Sequence, residues 1–295
     1  MSDRKIKVQR EVSERPINVE RESTLAISAT GVFPSGTLEI TENGNYEVTT
    51  YKNAKVAVPS DPSEFFTDEP VASPTSALLY STWNASAGVT GPSFSGANLE
   101  EVKLKGGSGV TSLSSLVRNC PKVQTVDLSE LVGSESGVSF NSAFYNIATI
   151  KNLLVRPGIK VSNMNALVAN SGLERVNLAG LDTSSCTTFS GAFDSCSLLE
   201  VVNISGWTNP NSVYCNIMFK GATRLKAVII DGEEIFQLWS SAVTNRPFVD
   251  SGISAGTGYV YVPDELVNEY KAAYIWSEYA SQIKPLSELP EEYRS

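Results

Sequence analysis

The chain contains no histidine among its 295 residues. Histidine most often carries general acid–base chemistry near neutral pH, and its imidazole is a common zinc ligand. The chain therefore lacks the residue that most often serves in nucleophilic dyads and in zinc sites. The sequence predicts a protein that is not an enzyme and that has no cofactor and no metal site.

Basic residues are also in the minority. The chain has 23 Lys and Arg against 32 Asp and Glu, a formal net charge of −9, and no strongly basic stretch. A nucleic-acid interface needs Lys and Arg clustered on one face. The composition therefore argues against a nucleic-acid partner.

Long apolar runs are missing too. No stretch approaches the roughly 18 apolar residues that suggest a membrane span, so no membrane association is predicted. Residues 1–8 lack the apolar core of a secretory signal, and residues 289–295 do not resemble a wall-anchor signal. We therefore expect a protein that stays in the cytoplasm of the cell that makes it, unless a route other than secretion carries it out.

Cysteine is scarce, and none of its four copies forms a CxxC pair. Cys120 and Cys196 each lie three residues before the leading apolar residue of a repeated phrase, which favours small, buried side chains inside a coil. Free buried thiols are the simpler prediction. A disulfide involving Cys186, Cys196 or Cys215 is the alternative, because spacing does not decide it.

What the chain does have is an internal repeat. One phrase, whose position-by-position consensus is Leu-x-x-Val-x-Leu, occurs six times, and its first positions are 24, 27, 23, 26 and 26 residues apart. The six copies start at Leu99, Val123, Ile150, Leu173, Leu199 and Leu225. This period is typical of leucine-rich solenoids, in which each coil buries its apolar side against its neighbours.

The repeat predicts a β-rich leucine-rich-repeat solenoid over residues 96–262. Each phrase supplies a short strand whose second and third marked residues point inward. A second apolar cluster lies between the strands, and its spacing of three or four predicts one short helical turn per coil. The clusters are Leu113/Leu116, Phe140/Phe144, Met164/Leu167, Phe189/Phe193 and Met218/Phe219. Tyr259–Val262 is predicted as the last strand.

Two further regions precede the solenoid. Residues 1–60 predict an extended arm and a small all-β module with strands at 6–8, 17–19, 38–40, 46–48 and 55–58. Asn43-Gly44 is a strong hairpin signal between the third and fourth strands. The arm has few large apolar residues, so we expect a partner to order it. Residues 61–95, rich in proline, predict a linker and an N-terminal cap.

Residues 263–295 predict a C-terminal capping helix and tail. Pro263 followed by acidic residues is a good helix start. Val267, Tyr270 and Tyr274 form a rough apolar stripe that continues to Trp276. A helix of this kind would cover the open end of the solenoid.

The middle copies resemble a known family. Residues 177–193 and 196–207 combine a small-residue turn, an aromatic half-coil and a Cys-x-x-Leu strand, and they resemble the BspA-like leucine-rich repeats of bacterial surface and phage proteins. Pro121 and Ile147 depart from this pattern. Residues 38–48 and 51–58 resemble a short β module of tail-associated proteins of phages that infect Gram-positive bacteria.

The resemblance implies a non-enzymatic phage virion protein, assembled in the host cytoplasm. Its N-terminus would attach to other virion proteins, and its repeats would adhere to a host-surface glycan or protein receptor. We expect a homo-oligomer. The alternatives are a capsid, tail-fibre or decoration protein without a receptor, and a bacterial cell-surface adhesin.

Four aromatic residues fall outside the strand phase and are the candidate contact residues: Tyr145, Trp207, Tyr214 and Trp239. The alternative is that they pack between coils. Asp127, Asp182 and Asp231 recur near strand ends, and paired carboxylates can hydrolyse sugars. Acidic residues at such turns more often cap the loop.

Overall fold

The structure is a computed structural model that describes residues 109–294 except residue 211. Upstream of residue 109 it describes short strands and one further residue. The upstream positions are 17–20, 32–33, 37–41, 46–49, 51–52, 54–55, 76–83, 89–90, 95 and 101–106. Strands and hydrogen-bonded turns dominate the described part of the chain.

The first strands belong to the predicted β module. They are β1 (Ile17–Glu20), β2 (Val32–Phe33), β3 (Thr37–Thr41), β4 (Tyr46–Thr49), β5 (Tyr51–Lys52) and β6 (Ala54–Lys55). β3 and β4 pair antiparallel with Ile40 opposite Tyr46, so the predicted hairpin is confirmed. The third strand differs from the prediction, because β1 lies parallel to β3 while β6 pairs with β2. Residues 6–8 and 56–58 lie outside the described residues.

Thirteen further strands follow along the chain. They are β7 (Ser76–Trp83), β8 (Val89–Thr90), β9 (Glu101–Gly106), β10 (Val110–Ser112), β11 (Thr125–Leu131), β12 (Val138–Ser139), β13 (Asn152–Val155), β14 (Val161–Asn163), β15 (Arg175–Asn177), β16 (Val201–Asn203), β17 (Ala227–Ile229), β18 (Tyr259–Val262) and β19 (Ile283–Pro285). β8, β10, β12 and β14 form a separate four-stranded sheet.

Every copy of the repeated phrase contains a strand, as predicted. The copies supply β9, β11, β13, β15, β16 and β17, and β18 is the last predicted strand. Within each five-stranded sheet, strands of consecutive copies pair in parallel with their apolar residues in register, so that Val202 lies opposite Val228 and Val228 opposite Val260. The inward positions are buried, with Val155 only partly so. One apolar core continues through the stacked copies.

The strands form two five-stranded sheets rather than one. Their orders are β5-β7-β9-β11-β13 and β15-β16-β17-β18-β19. Both sides of the interruption are described, and no strand pairing joins β13 to β15. The interruption coincides with the shortest copy, in which Ile150 and Leu173 are 23 positions apart. A cavity of 630 Å³ lies beside this copy, and Gln124, Lys151 and Glu174 are among its lining residues.

The predicted linker and cap of residues 61–95 contributes a strand to the first sheet. β7 pairs in parallel with β9, placing Leu79 opposite Val102. β5 pairs antiparallel with the other edge of β7. The sheet therefore extends one strand beyond the first recognisable copy and closes on a strand of the N-terminal module.

The other side of each copy, which we call the turn face, consists of hydrogen-bonded turns rather than the predicted helical turn. The Leu116 amide donates to the Leu113 carbonyl oxygen at 3.1 Å, whereas the Ser115 amide donates to Asn141 of the next copy at 3.0 Å. Ser115 and Asn119 have positive φ angles of 58° and 60°. In an α-helix the interior N–H groups bond within the segment. Here every fourth residue has a left-handed backbone conformation. As a result, every second N–H group points towards the next copy and donates to one of its carbonyl oxygens.

The resulting ladder joins the copies on the turn face, including those between which the strand pairing is interrupted. Ser142 donates to Asn165, Ala166 donates to Ser190, and the same pattern continues to the last copy. Four such hydrogen bonds join the turn face of each copy to that of the next. The predicted apolar clusters lie beneath the ladder and are buried, which confirms that their aromatic residues belong to the core. Phe193 and Phe219 stack with ring centroids 4.9 Å apart.

The C-terminal region differs from the predicted long capping helix. Helix α1 (Val267–Ala272) has six residues and ends where Ala273 becomes extended. Short 3-10 helices account for the other helical residues: Val243–Asn245, Asp264–Leu266, Trp276–Gln282, Leu286–Glu288 and Glu291–Tyr293. The chain then adds β19 to the sheet in parallel with β18. Buried Trp276 anchors the turn by donating its Nε1–H to the Phe236 carbonyl oxygen at 2.8 Å.

The residues after β19 cover the outer face of the second sheet. Leu289 is buried against a small apolar cluster that includes Val201, Ala227 and Ile229, separate from the main core. Further along the sheet, the Arg175 guanidinium donates to the Glu292 carbonyl oxygen at 2.6 Å. The tail therefore lies over strand side chains instead of ending at the cap.

The four cysteines are buried thiols outside any disulfide. Cys120 and Cys196 occupy equivalent inward positions, as predicted. Ile147, which departs from the family pattern at that position, is fully buried too. Burial raises the pKa of Cys186 to about 11 and that of Cys215 to about 12.

Candidate functional site

Trp207, one of the four candidate contact residues, belongs to the core. Its side chain is 3% exposed, and its Nε1–H donates to the Leu178 carbonyl oxygen at 2.8 Å. Its ring stacks on Phe189 with centroids 5.8 Å apart. The prediction that Trp207 is a surface contact is therefore wrong, because the indole has both an apolar neighbour and a buried acceptor.

The other three candidates lie on the turn face. Phe189 donates its amide to Tyr214 O, and Cys215 donates its amide to Trp239 O, so Tyr214 and Trp239 occupy the same position in adjacent copies. Tyr214 is 52% exposed and Trp239 is 36% exposed. Tyr145 lies on the same face three copies before Tyr214, partly buried, with the Arg118 guanidinium 5.1 Å from its ring centroid.

An insertion follows Trp239. The ladder uses Tyr214 and Asn216 in one copy but Trp239 and Asn245 in the next, so the second copy has four extra residues between these rungs. Asn216 Oδ1 accepts the Ser241 amide at 2.8 Å and fixes the base of the loop. Val243, within the inserted residues, is 73% exposed. In repeat proteins, insertions of this kind often mark the binding face.

The C-terminal region contributes Tyr274 to the same place. The Tyr274 ring is 54% exposed, with its centroid 5.4 Å from that of Trp239. The Arg246 guanidinium lies 5.6 Å from the Tyr274 ring centroid and pairs with Glu278, Nη2 to Oε1, at 2.6 Å. The hydrogen bond to Tyr274 and the pairing with Glu278 raise the pKa of Arg246.

We call this set of side chains the Trp239 surface. It consists of Tyr214, Trp239, Val243, Arg246 and Tyr274. The described part of the chain has seven exposed large hydrophobic side chains, and four of them belong to this surface. Concentrated apolar exposure on an otherwise polar face marks interaction sites.

Sequence reasoning did not find Tyr274 or Arg246. Tyr274 was assigned to an apolar helical stripe, but α1 ends at Ala272 and leaves Tyr274 outside the helix. The sequence does contain one signal for the insertion, which is the unusual length of the copy that begins at Leu225. Ala227 and its register partner Tyr259 are 32 residues apart, whereas Val201 and Ala227 are 26 apart.

A groove of 360 Å³ adjoins the Trp239 surface. Its lining includes Tyr145, Asp194, Ile217 and four residues of a polar column. The polar column is the set of side chains that follow each other along the ladder: Asn141, Asn165, Ser190, Asn216 and Asn245. Asn165 Nδ2–H donates to Asn141 Oδ1 at 3.0 Å, which fixes the amide orientations there. Ile217 has a φ of 49°, a strained value for a β-branched residue.

Two of the acidic residues near strand ends, Asp127 and Asp182, hydrogen-bond to the backbone of their own turns. Asp127 Oδ1 accepts the Ser129 amide at 2.9 Å, and Asp182 Oδ1 accepts the Ser184 amide at 3.0 Å. The hydroxyl of Ser184 donates to Asp182 as well and lowers the pKa of that carboxyl. These two side chains cap turns, which is the alternative that the sequence left open for them.

Two further properties bear on what this surface could bind. Across the described ranges, no group of three or more His, Cys, Asp or Glu side chains is placed to hold a metal ion. No helix in those ranges is long and apolar enough to cross a membrane.

Comparison with known proteins finds neither a matching protein-family model nor a matching curated protein.

Proposed function

We propose that this chain is a non-enzymatic phage virion protein that attaches to the particle through its N-terminal 60 residues and adheres to a host surface through a leucine-rich-repeat solenoid. Residues 96–262 would form the solenoid. The parallel, in-register pairing of consecutive copies supports it on the strand side. The ladder supports it on the turn face, including the junction where the sheet is interrupted.

The Trp239 surface is the observation that carries the adhesive role. Tyr214 and Trp239 project from a hydrogen-bonded ladder, and Arg246 is fixed by Glu278. Aromatic side chains held in place lose little conformational entropy on binding, and they are common among residues that dominate binding energy. A surface with these properties suits a receptor glycan or protein.

The virion assignment is supported by the resemblance of residues 38–48 and 51–58 to a β module of phage tail-associated proteins, and by that of the repeats to BspA-like repeats of bacterial surface and phage proteins. Within the N-terminal region, the hairpin of β3 and β4 agrees with a small β module. We propose that other virion proteins bind this region and that the chain forms a homo-oligomer. Multiple copies would raise effective concentration at a host surface.

The test is a pull-down on permissive Gram-positive host cells with monomeric protein and with protein clustered on beads. We expect weak binding by the monomer and much stronger binding by the clustered form, because multivalency can raise the apparent affinity by a factor of about 10²–10⁴. If clustered protein binds no permissive host, a fibre or decoration protein without a receptor becomes the better interpretation.

A further inference from the structure

We infer that the groove on the turn face binds a neutral, linear oligosaccharide, which lies along the polar column and stacks at one end on Trp239 and Tyr274. This inference rests on the proposed adhesive function, because it names the chemical class of the host-surface ligand. It assigns the ligand to the turn face rather than to the outer face of the strands.

The groove presents uncharged hydrogen-bonding groups. Asn165, Ser190, Asn216 and Asn245 line it, and Asp194 is its one charged side chain among the described residues. Amides and hydroxyls can both donate and accept, as sugar hydroxyls require. An anionic polymer would instead need several Lys or Arg side chains to replace its counterions and water.

The one cation of the Trp239 surface is already neutralised. Arg246 contacts Glu278 with two nitrogens, Nη2 to Oε1 at 2.6 Å and Nε to Oε2 at 3.1 Å. This two-point pairing uses two of the five guanidinium N–H donors and balances the positive charge of Arg246, which makes the side chain a weaker partner for a carboxylate or phosphate. It also holds the guanidinium against Tyr274. The aromatic pair is therefore a rigid apolar platform without a free positive charge.

The outer face of the second five-stranded sheet is less suited to an extended ligand. The tail covers Val201, Ala227 and Ile229 there, and Leu289 is buried by this packing. On the turn face, in contrast, small residues border the groove at Ala166, Ala169 and Gly191 and leave room along the column.

The dimensions fit a chain of several sugar units. The polar column passes through five copies, and neighbouring copies in a parallel stack are about 4.8 Å apart, which gives a length of roughly 19 Å. Tyr145 lies at the first end of the groove, and Asn245 is next to the Trp239 surface at the other. A linear oligosaccharide can contact successive polar side chains and present one sugar face to an aromatic ring.

The experiment measures binding of the full chain to soluble probes by isothermal titration and tryptophan fluorescence. The neutral probes are six-unit oligomers of glucose, mannose and N-acetylglucosamine. The anionic probes are oligogalacturonate and glycerol phosphate oligomers. We expect at least one neutral oligomer to bind, and both Trp239→Ala and Ser190→Phe to weaken it by about tenfold or more. Val132→Ala and Ser136→Phe, placed away from the groove, should leave the affinity unchanged.

Three results would overturn the inference. One is preferential binding of an anionic probe. Another is neutral-probe binding that Trp239→Ala and Ser190→Phe do not alter. The third is host-cell binding by clustered protein that protease treatment of the cells removes and periodate oxidation of their glycans does not, since this identifies a protein receptor. In that third case the adhesive function stands while the glycan inference fails. Absence of host-cell binding altogether would contradict the proposed function itself.

Discussion

At the scale of single residues, left-handed backbone positions decide how the copies are joined. Asn119, Asn146 and Asn170 follow each other along the ladder with positive φ angles, and asparagine tolerates this region better than most residues. Their side chains also bond to each other, as in the 2.9 Å contact from Asn146 Nδ2 to Asn119 Oδ1. Asparagine thus serves two purposes on the turn face: it adopts the left-handed backbone conformation, and its side chain hydrogen-bonds to the asparagine of the next copy.

Ile217 is a β-branched residue at a left-handed position of the ladder, and it provides a test. Its φ of 49° costs a β-branched residue about 1–2 kcal/mol, a cost that glycine does not have. We expect Ile217→Gly to be within about 1 kcal/mol of wild type or more stable. Val213→Gly, a half-buried control with no positive φ, should lose about 1–2 kcal/mol. Chemical unfolding measures both, and equal losses would refute the strain at Ile217.

The buried thiols predict how stability changes at alkaline pH. The folded pKa of Cys215, about 12, lies above the ordinary value of 9.0, so the folded state favours the neutral thiol. Its contribution is fully present below about pH 9 and is lost as the pH rises towards 12. The free energy of unfolding should therefore fall more steeply above pH 9 in wild type than in Cys215→Ala. Parallel pH profiles for the two proteins would contradict this.

At the scale of elements, the strand of each copy separates an inward from an outward side chain. Leu178 is 2% exposed, whereas the neighbouring Asn177 is exposed and its Oδ1 accepts the Ala179 amide at 3.1 Å. Aspartate at position 178 would be a buried charge with no partner supplied for it. Aspartate at position 177 could keep the same acceptor.

We therefore expect Leu178→Asp to cost several kcal/mol and Asn177→Asp to be near neutral. Thermal melts of the two variants provide the comparison. The inside and outside assignment of the phrase at Leu173 fails if both variants melt at the same temperature.

The strands were predictable because alternation of apolar residues reports directly on which side chains face a core. The turn face was not, because the three- or four-residue spacing of Phe140 and Phe144 suits both a helical turn and the observed ladder. The left-handed backbone at Ser142 and Asn146 separates the two, and Ser and Asn at four-residue spacing were its only sequence trace. Trp207 was misplaced because its acceptor, Leu178 O, belongs to a different copy and leaves no local pattern.

At the scale of the whole molecule, one outer edge of each five-stranded sheet discourages further strand pairing. β19 is the last strand of its sheet, and Pro285 within it has no N–H to donate. In the other five-stranded sheet, β5 covers one edge of β7 in antiparallel orientation. Edge strands protected by proline or by another segment resist uncontrolled addition of strands. These two edges therefore limit the addition of further strands in the described part of the chain.

Deletion of residues 1–50 tests the proposed division between attachment and display. This truncation removes β1 to β4 but keeps β5 on the edge of the sheet. We expect the truncated protein to retain the cooperative unfolding of the repeats and to fail to join the virion. An incorporation assay beside calorimetry checks both halves, and normal incorporation would refute attachment through the N-terminal region.

The most direct measurement for the proposed adhesive scaffold compares host-cell binding by clustered wild type, the double variant Trp239→Ala/Tyr274→Ala, and the control Val132→Ala. All three should have closely similar thermal stabilities, because the substituted side chains are at least 36% exposed. The Trp239 surface predicts a loss of about tenfold or more for the double variant and wild-type binding for the control. Equal binding by all three proteins would contradict it.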